Sequence, residues 1–139
     1  MELLFDETLE IKPVSVNSAY NYNPVTNRRF LNKDAYAQKL NIGGILLQKK
    51  MHNKLVEYRD KQLRLEVTWY SNRFLTKGYP KTAKFKYSKL DISDILKNLE
   101  DTVYAILGVD DSQNFTIQLT KIVVDTSDKV NIKIFANDY

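Results

Sequence analysis

The chain has no cysteine and a single histidine, His52, among its 139 residues. That excludes disulfides and thiolate zinc sites, together with most histidine-based metal and triad arrangements, so any catalysis must rest on carboxylates, hydroxyls or lysine. Glycine occurs four times, and neither a GxGxxG nor a GxxxxGK run is present, which argues against a nucleotide cofactor. No apolar run approaches the roughly 20 residues of a membrane span. Met1 to Phe5 has neither the basic start nor the length of a signal peptide. A cytoplasmic protein without a membrane partner is expected. His52 lies among Lys49, Lys50, Asn53 and Lys54, where a lone histidine belongs to the surface.

With 43% hydrophobic and 27% charged residues, the chain can bury one ordinary core, and a single domain over 1–139 is expected. Its most informative stretch is Leu90 to Gln113, which holds Asp91, Asp94, Asp101, Asp110 and Asp111. At about 100° per residue, Ser93 to Leu107 forms a helix with Ile92, Ile95, Leu96, Leu99, Val103, Ile106 and Leu107 on one side. Asp94, Lys97 and Asp101 form a polar stripe on the other. Ser93 stands at the N-cap, Asp94 in the first turn, and Gly108 at the C-terminal cap. Taken singly, these charges are ordinary solvated-face residues. Together with Asp91 before the helix and the Asp110–Asp111 pair after it, three or four carboxylates would converge if the next strand returns beside the helix start. Such a group repels itself unless a cation neutralises it, and magnesium takes oxygen ligands of this kind.

The remaining segments predict an α+β fold in the order β-α-β-α-β-β: a small mixed sheet with two helical elements on one face. A first strand lies within Leu4 to Pro13, and Val14 to Arg29 reads as a polar loop. Asn32 to Tyr58 reads as helical, with Asn32 as cap and the pair Gly43–Gly44 marking a kink, a close helix contact or a division into two helices. Gln62 to Ser71 alternates Leu63, Leu65, Val67 and Trp69 with polar residues, as a half-buried strand does. Phe115 to Val124 and Val130 to Phe135 read as the arms of a hairpin. Between Asn72 and Lys89 six basic residues, Arg73, Lys77, Lys81, Lys84, Lys86 and Lys89, occur with no acidic one. Phe74, Tyr79, Phe85 and Tyr87 are interleaved with them. This is either a solvated basic loop or a footprint for phosphates, and its position just before Asp91 favours the second.

The segment from Asp91 through Ser93, Asp94, Lys97 and Asp101 to Asp110 and Asp111 resembles the catalytic segment of the RusA family of Holliday junction resolvases, carried by phages and prophages. That family's pattern is Asp-x-Asp-Asn-x-x-Lys-x-x-x-Asp followed by Asp-Asp. Here the second acid falls on Ser93 and the asparagine on Asp94, so either Asp94 acts as ligand from one position along or Ser93 contributes a hydroxyl. Pro13, Ser15, Asn17 and Tyr20 likewise resemble the family's Pro-x-Ser-x-Asn-x-x-Tyr opening. The resemblance implies a RusA-like domain that resolves four-way DNA junctions by paired symmetric nicks with Mg²⁺, for which Mn²⁺ can substitute. Asp91, Asp94 and Asp111 would hold the metal, Lys97 would steady the phosphate or protonate the leaving group, and Ser93, Asp101 and Asp110 would support them. Asn17, Tyr20, Arg28, Arg29, Lys81, Lys84, Lys86 and Lys89 are the expected DNA contacts. A homodimer is expected, since one acidic cluster cuts one strand, with Gly43–Gly44 suited to helix packing across a twofold axis. The alternative is a DNA-binding protein on the same fold without catalysis.

Overall fold

A computed structural model describes residues 1–15 and 33–137, together with the backbone of 20–23 and 28–31. Strand β1 (Glu2–Leu9) leads to a two-stranded hairpin, β2 (Tyr20–Asn23) with β3 (Arg28–Leu31), and then to helix α1 (Lys33–Gln48). After a 3-10 turn at Val56–Tyr58 come β4 (Leu63–Ser71), helix α2 (Ile92–Leu107), a second 3-10 turn at Asp111–Gln113, β5 (Asn114–Val123) and β6 (Lys129–Ala136). The main sheet has the order β1-β6-β4-β5, with β4 and β5 parallel and the other pairs antiparallel. The fold is thus α+β, with one mixed sheet and two helices in the expected order.

Period-2 patterning makes β4 a strand: Leu63, Leu65, Val67, Trp69 and Ser71 are buried and the residues between them are half-exposed. Val130, Ile132, Ile134 and Ala136 of β6 turn to the same face. Both helices cover that face. Ile95, Leu99, Val103 and Leu107 of α2 join Ile42 and Leu46 of α1 in one apolar cluster with the strands. Each such Leu, Ile or Val contributes about 1.5–3 kcal/mol by leaving water.

Helix α2 begins one residue before the expected start, and Asp91 rather than Ser93 is its N-cap, because the Asp91 carboxylate accepts from Ser93 N–H at 3.1 Å. Its C-terminal cap is Gly108, at φ 84°. A Cβ there would come within 2.6 Å of Val56 Cγ2, so both backbone angle and space require glycine. The carbonyls at this helix end are satisfied by the segment after α1: Asn53 N–H donates to Ile106 O at 2.7 Å and Leu55 N–H to Leu107 O at 2.9 Å.

Four expectations are corrected. The first is the single helical segment over 32–58: α1 ends at Gln48 and only a 3-10 turn follows. The second concerns the glycine pair, through which α1 runs unbroken, since Ala35, Gln38, Ile42 and Leu46 anchor it on both sides. A Cβ at Gly43 would meet Ile106 at 3.8 Å, an ordinary contact, and Gly44 faces open space, so neither glycine is needed for packing within the chain. Third, the expected polar loop over 14–29 gives way from Tyr20 to the β2–β3 hairpin, which runs on to Leu31. Fourth, β5 and β6 are not hairpin partners, because β4 lies between them. The connection crosses the end of β4, where Val124 N–H donates to Ser71 O at 3.1 Å. There Asp128 accepts from Trp69 Nε1 at 2.9 Å and Ser71 Oγ at 2.6 Å, and pairs with Arg73 at 2.6 Å. These bonds hold the Asp128 carboxyl below its ordinary range although burial alone would raise it. The expected cap Asn32 lies outside the described residues.

Candidate functional site

The crossover β4-α2-β5 sets α2 antiparallel to both strands, so Asp91 lies by the C-terminal ends of the strands and Asp111 by the start of β5. Lys121 of β5 marks the first end, donating to Leu90 O at 2.8 Å. At 1.5 Å per residue, position 91 lies about 15 Å along the helix axis from position 101. That exceeds the reach of one cation, whose oxygen ligands stand about 2.0–2.6 Å away. The acidic residues therefore fall into two groups.

The first group is Glu100, Asp101 and Asp111, whose carboxylate oxygens lie within 4.8 Å of one another. Among the described residues it is the set of three acids close enough to share an ion. Lys97 joins it, with Nζ 2.9 Å from Asp101 and 3.0 Å from Asp111, and these two bonds raise the Lys97 ammonium well above its usual range. Three carboxylates against one ammonium leave excess negative charge, and Glu100 registers it. Only 8% exposed, Glu100 is pushed up to about 7, first by burial and then by repulsion from Asp111, against the hydrogen bond it accepts from Asn114 Nδ2 at 3.0 Å. Asn114 is oriented in turn by Tyr104, whose hydroxyl donates to its Oδ1 at 2.6 Å. A buried acid driven toward protonation beside two others is the donor chemistry a hard divalent cation relieves, so these residues fit Mg²⁺ or Mn²⁺.

Asp110, beside Asp111, serves the backbone. Its carboxylate accepts from Ser112 N–H and Oγ, which lowers its pKa, while Gln113 Oε1 accepts from Asp110 N–H at 2.9 Å. This capping box, with Gln113 Nε2 donating to Tyr58 O and Lys61 O at 2.9 and 3.0 Å, fixes the turn that presents Asp111.

The second group is Asp91 and Asp94, which line a cleft of about 690 Å³ between α1, the chain after β1 and the start of α2. Glu10, Asp34, Lys12, Arg73 and Lys89 also line it, and so does Gln38. Gln38 is buried, accepts from Val14 N–H at 2.8 Å and leaves its Nε2 without a partner. Asp91 is lowered by its bonds from Ser93 N–H and Oγ, with Lys121 adding a smaller effect. Ser93 thus supports Asp91 and contributes no free hydroxyl. Asp94, Lys97 and Asp101 do share one helix face, about 10 Å from first to last, and this stripe links the cleft to the acid cluster.

The structure thus brings together Asp111, Asp101 and Lys97, adds Glu100, and sets Asp91 and Asp94 apart in the cleft. Glu100 escaped sequence reasoning although a signal was present: an acid three residues after Lys97, on the flank of the apolar stripe between Leu96 and Val103. Of the expected DNA contacts, Lys81, Lys84, Lys86 and Lys89 are exposed and make no ion pair among the described residues. Arg73 is bound to Asp128. Tyr20, Arg28 and Arg29 belong to the β2–β3 hairpin, where only the backbone is described, and Asn17 lies outside the described residues. No helix among the described residues is long and apolar enough to cross a membrane. Comparison of the sequence with protein-family models and with curated proteins finds no match to either.

Proposed function

We propose that this protein is a divalent-metal-dependent nuclease acting on branched DNA, a RusA-like resolvase that nicks four-way junctions in pairs. The observation that carries the reading is the convergence of Glu100, Asp101 and Asp111 around Lys97, with a lysine-rich excursion leading into the same helix. Glu100, Asp101 and Asp111 would hold Mg²⁺ or Mn²⁺. Bound there, the ion would supply a water of lowered pKa and charge neutralisation at the scissile phosphodiester. The chain's own residues do the rest. Asn114 and Tyr104 orient the Glu100 carboxylate, and the Asp110 capping box holds Asp111 toward the helix. Lys97, on a rigid helix, offers a proton or a positive charge to the departing oxygen. Asp91, Asp94 and Lys89 line the cleft through which a strand would reach that helix face.

Paired nicking needs two copies. Helix α1 supports a twofold dimer: Tyr36, Leu40 and Leu47 are exposed on the helix face where Gly44 has open space, a stripe through which two helices could pack closely. The RusA resemblance also carries a cytoplasmic, phage- or prophage-encoded setting. One observation favours the non-catalytic DNA-binding reading: Lys97 is engaged with two of the three acids. Incubating an end-labelled four-way junction with the protein and Mg²⁺ or Mn²⁺ separates the two. Symmetric, metal-dependent nicks that vanish in Asp111→Asn support the nuclease, whereas tight junction binding without cleavage in either metal supports the binding protein.

A further inference from the structure

The chain between β4 and α2 is a built projection. Ser88 N–H donates to Phe74 O at 2.8 Å and Thr76 N–H to Lys86 O at 2.7 Å, with a bridge between Leu75 and Tyr87, so its base is a short antiparallel ribbon. The tip turns at Gly78, φ 85°, where Thr82 N–H closes on Gly78 O at 2.7 Å and any Cβ would collide with Thr82. On this pinned backbone Phe85 and Tyr87 are each 64% exposed. They line a hollow of about 600 Å³ together with Lys84 and Lys86. Lys84 Nζ lies 5.8 Å from the Phe85 ring centroid and Lys86 Nζ 5.6 Å from that of Tyr87.

We propose that this projection is a stacking platform for unpaired nucleotides of a nucleic-acid strand, with Phe85 and Tyr87 taking bases while Lys84 and Lys86 take the neighbouring phosphates. Phe85 and Tyr87 are two residues apart and line the same hollow, so both rings face one bound strand. Each ring has an ammonium beside it, so a nucleotide meets a stacking surface and a phosphate partner together, the combination that single-strand sites use. A duplex hides its base faces and would leave the rings idle. A lipid surface is the other anionic partner of lysine and aromatics, but interfacial anchors are helices with a broad apolar face, and this ribbon presents two rings between lysines. The proposal deepens the nucleic-acid reading above and rests on it: a junction's crossover is where bases come unpaired.

The test uses the full chain in EDTA, so that binding is measured without cleavage. The probe is a thymidine oligonucleotide with one central 2-aminopurine, compared with its duplex and with anionic phospholipid vesicles. The wild type should bind the single strand more tightly than the duplex and alter the 2-aminopurine emission. Phe85→Ala and Tyr87→Ala should each weaken single-strand binding between about 5-fold and 150-fold while leaving the salt dependence unchanged, and Phe85→Trp should restore it. Lys84→Ala and Lys86→Ala should instead reduce the salt slope by about one per contact. Alanine variants that bind the single strand like wild type, or that lose single strand and duplex equally, overturn the platform. So does ring-dependent binding to vesicles and not to the oligonucleotide. Junction cleavage unaffected by both alanine changes would leave the nuclease standing without the platform, and stacking without any metal-dependent cleavage would leave the platform without the nuclease.

Discussion

Replacing Glu100 with Gln should make the protein more stable above neutral pH while abolishing its response to divalent metal. Moving a carboxyl from its ordinary 4.5 to about 7 corresponds to about 3 kcal/mol at 1.36 kcal/mol per pH unit. Because the folded state holds the Glu100 proton more tightly than the unfolded one, the contribution of Glu100 to wild-type stability falls as pH rises from about 4.5 through about 7. Gln carries no charge at any pH and retains an acceptor for Asn114. The gain of Glu100→Gln should therefore be near zero at pH 4 and about 2–3 kcal/mol at pH 8. Saturating Mg²⁺ or Mn²⁺ should act in the opposite sense, stabilising the wild type by about 2.7 kcal/mol at 100 times the dissociation constant and the variant hardly at all. Urea unfolding at the two pH values, with and without metal, reads all four states. Equal gains at pH 4 and pH 8, or equal metal stabilisation of both proteins, would refute the reasoning.

Asp128→Ala should cost about 3 kcal/mol in urea unfolding, because it strands the Arg73 charge and the Trp69 indole N–H beneath the β5–β6 connection; a loss under about 0.5 kcal/mol would show that the crossing is not anchored there. Leu40→Glu puts a charge into the exposed stripe of α1 and should convert a dimer to a monomer by sedimentation at micromolar concentration, with the circular dichroism spectrum unchanged. Combining Lys81→Ala with Lys89→Ala should lower the log-log salt slope of junction binding by about two, and an unchanged slope would return these lysines to the solvated surface.

Helix α2 was legible because its periodicity, first-turn acid and capping glycine agree, and because its apolar face packs as the 3.6-residue repeat requires. Its start is displaced because Asp91 and Ser93 are both good caps, and only the fold decides which side chain accepts the free N–H of the first turn. The pairing of β5 and β6 was not legible, since a short polar connection looks like a hairpin turn. What redirects it is the capture of Asp128 by Trp69, Ser71 and Arg73 from a distant strand. The same capture removes Arg73 from the apparent phosphate footprint. At the site, Asp101, Lys97 and Asp111 could be drawn together from the helix stripe and the turn after it. Glu100 is only hinted at by its place three residues after Lys97, because its importance comes from burial against Tyr104 and Asn114; the convergence of Asp91 with Asp111 is not found, because helix length separates the two.

The most direct measurement is anomalous scattering from crystals soaked in Mn²⁺. The account predicts a peak among the carboxylates of Glu100, Asp101 and Asp111, lost in Asp111→Asn. A peak in the Asp91–Asp94 cleft instead, or none at a concentration that supports junction cleavage, would contradict it.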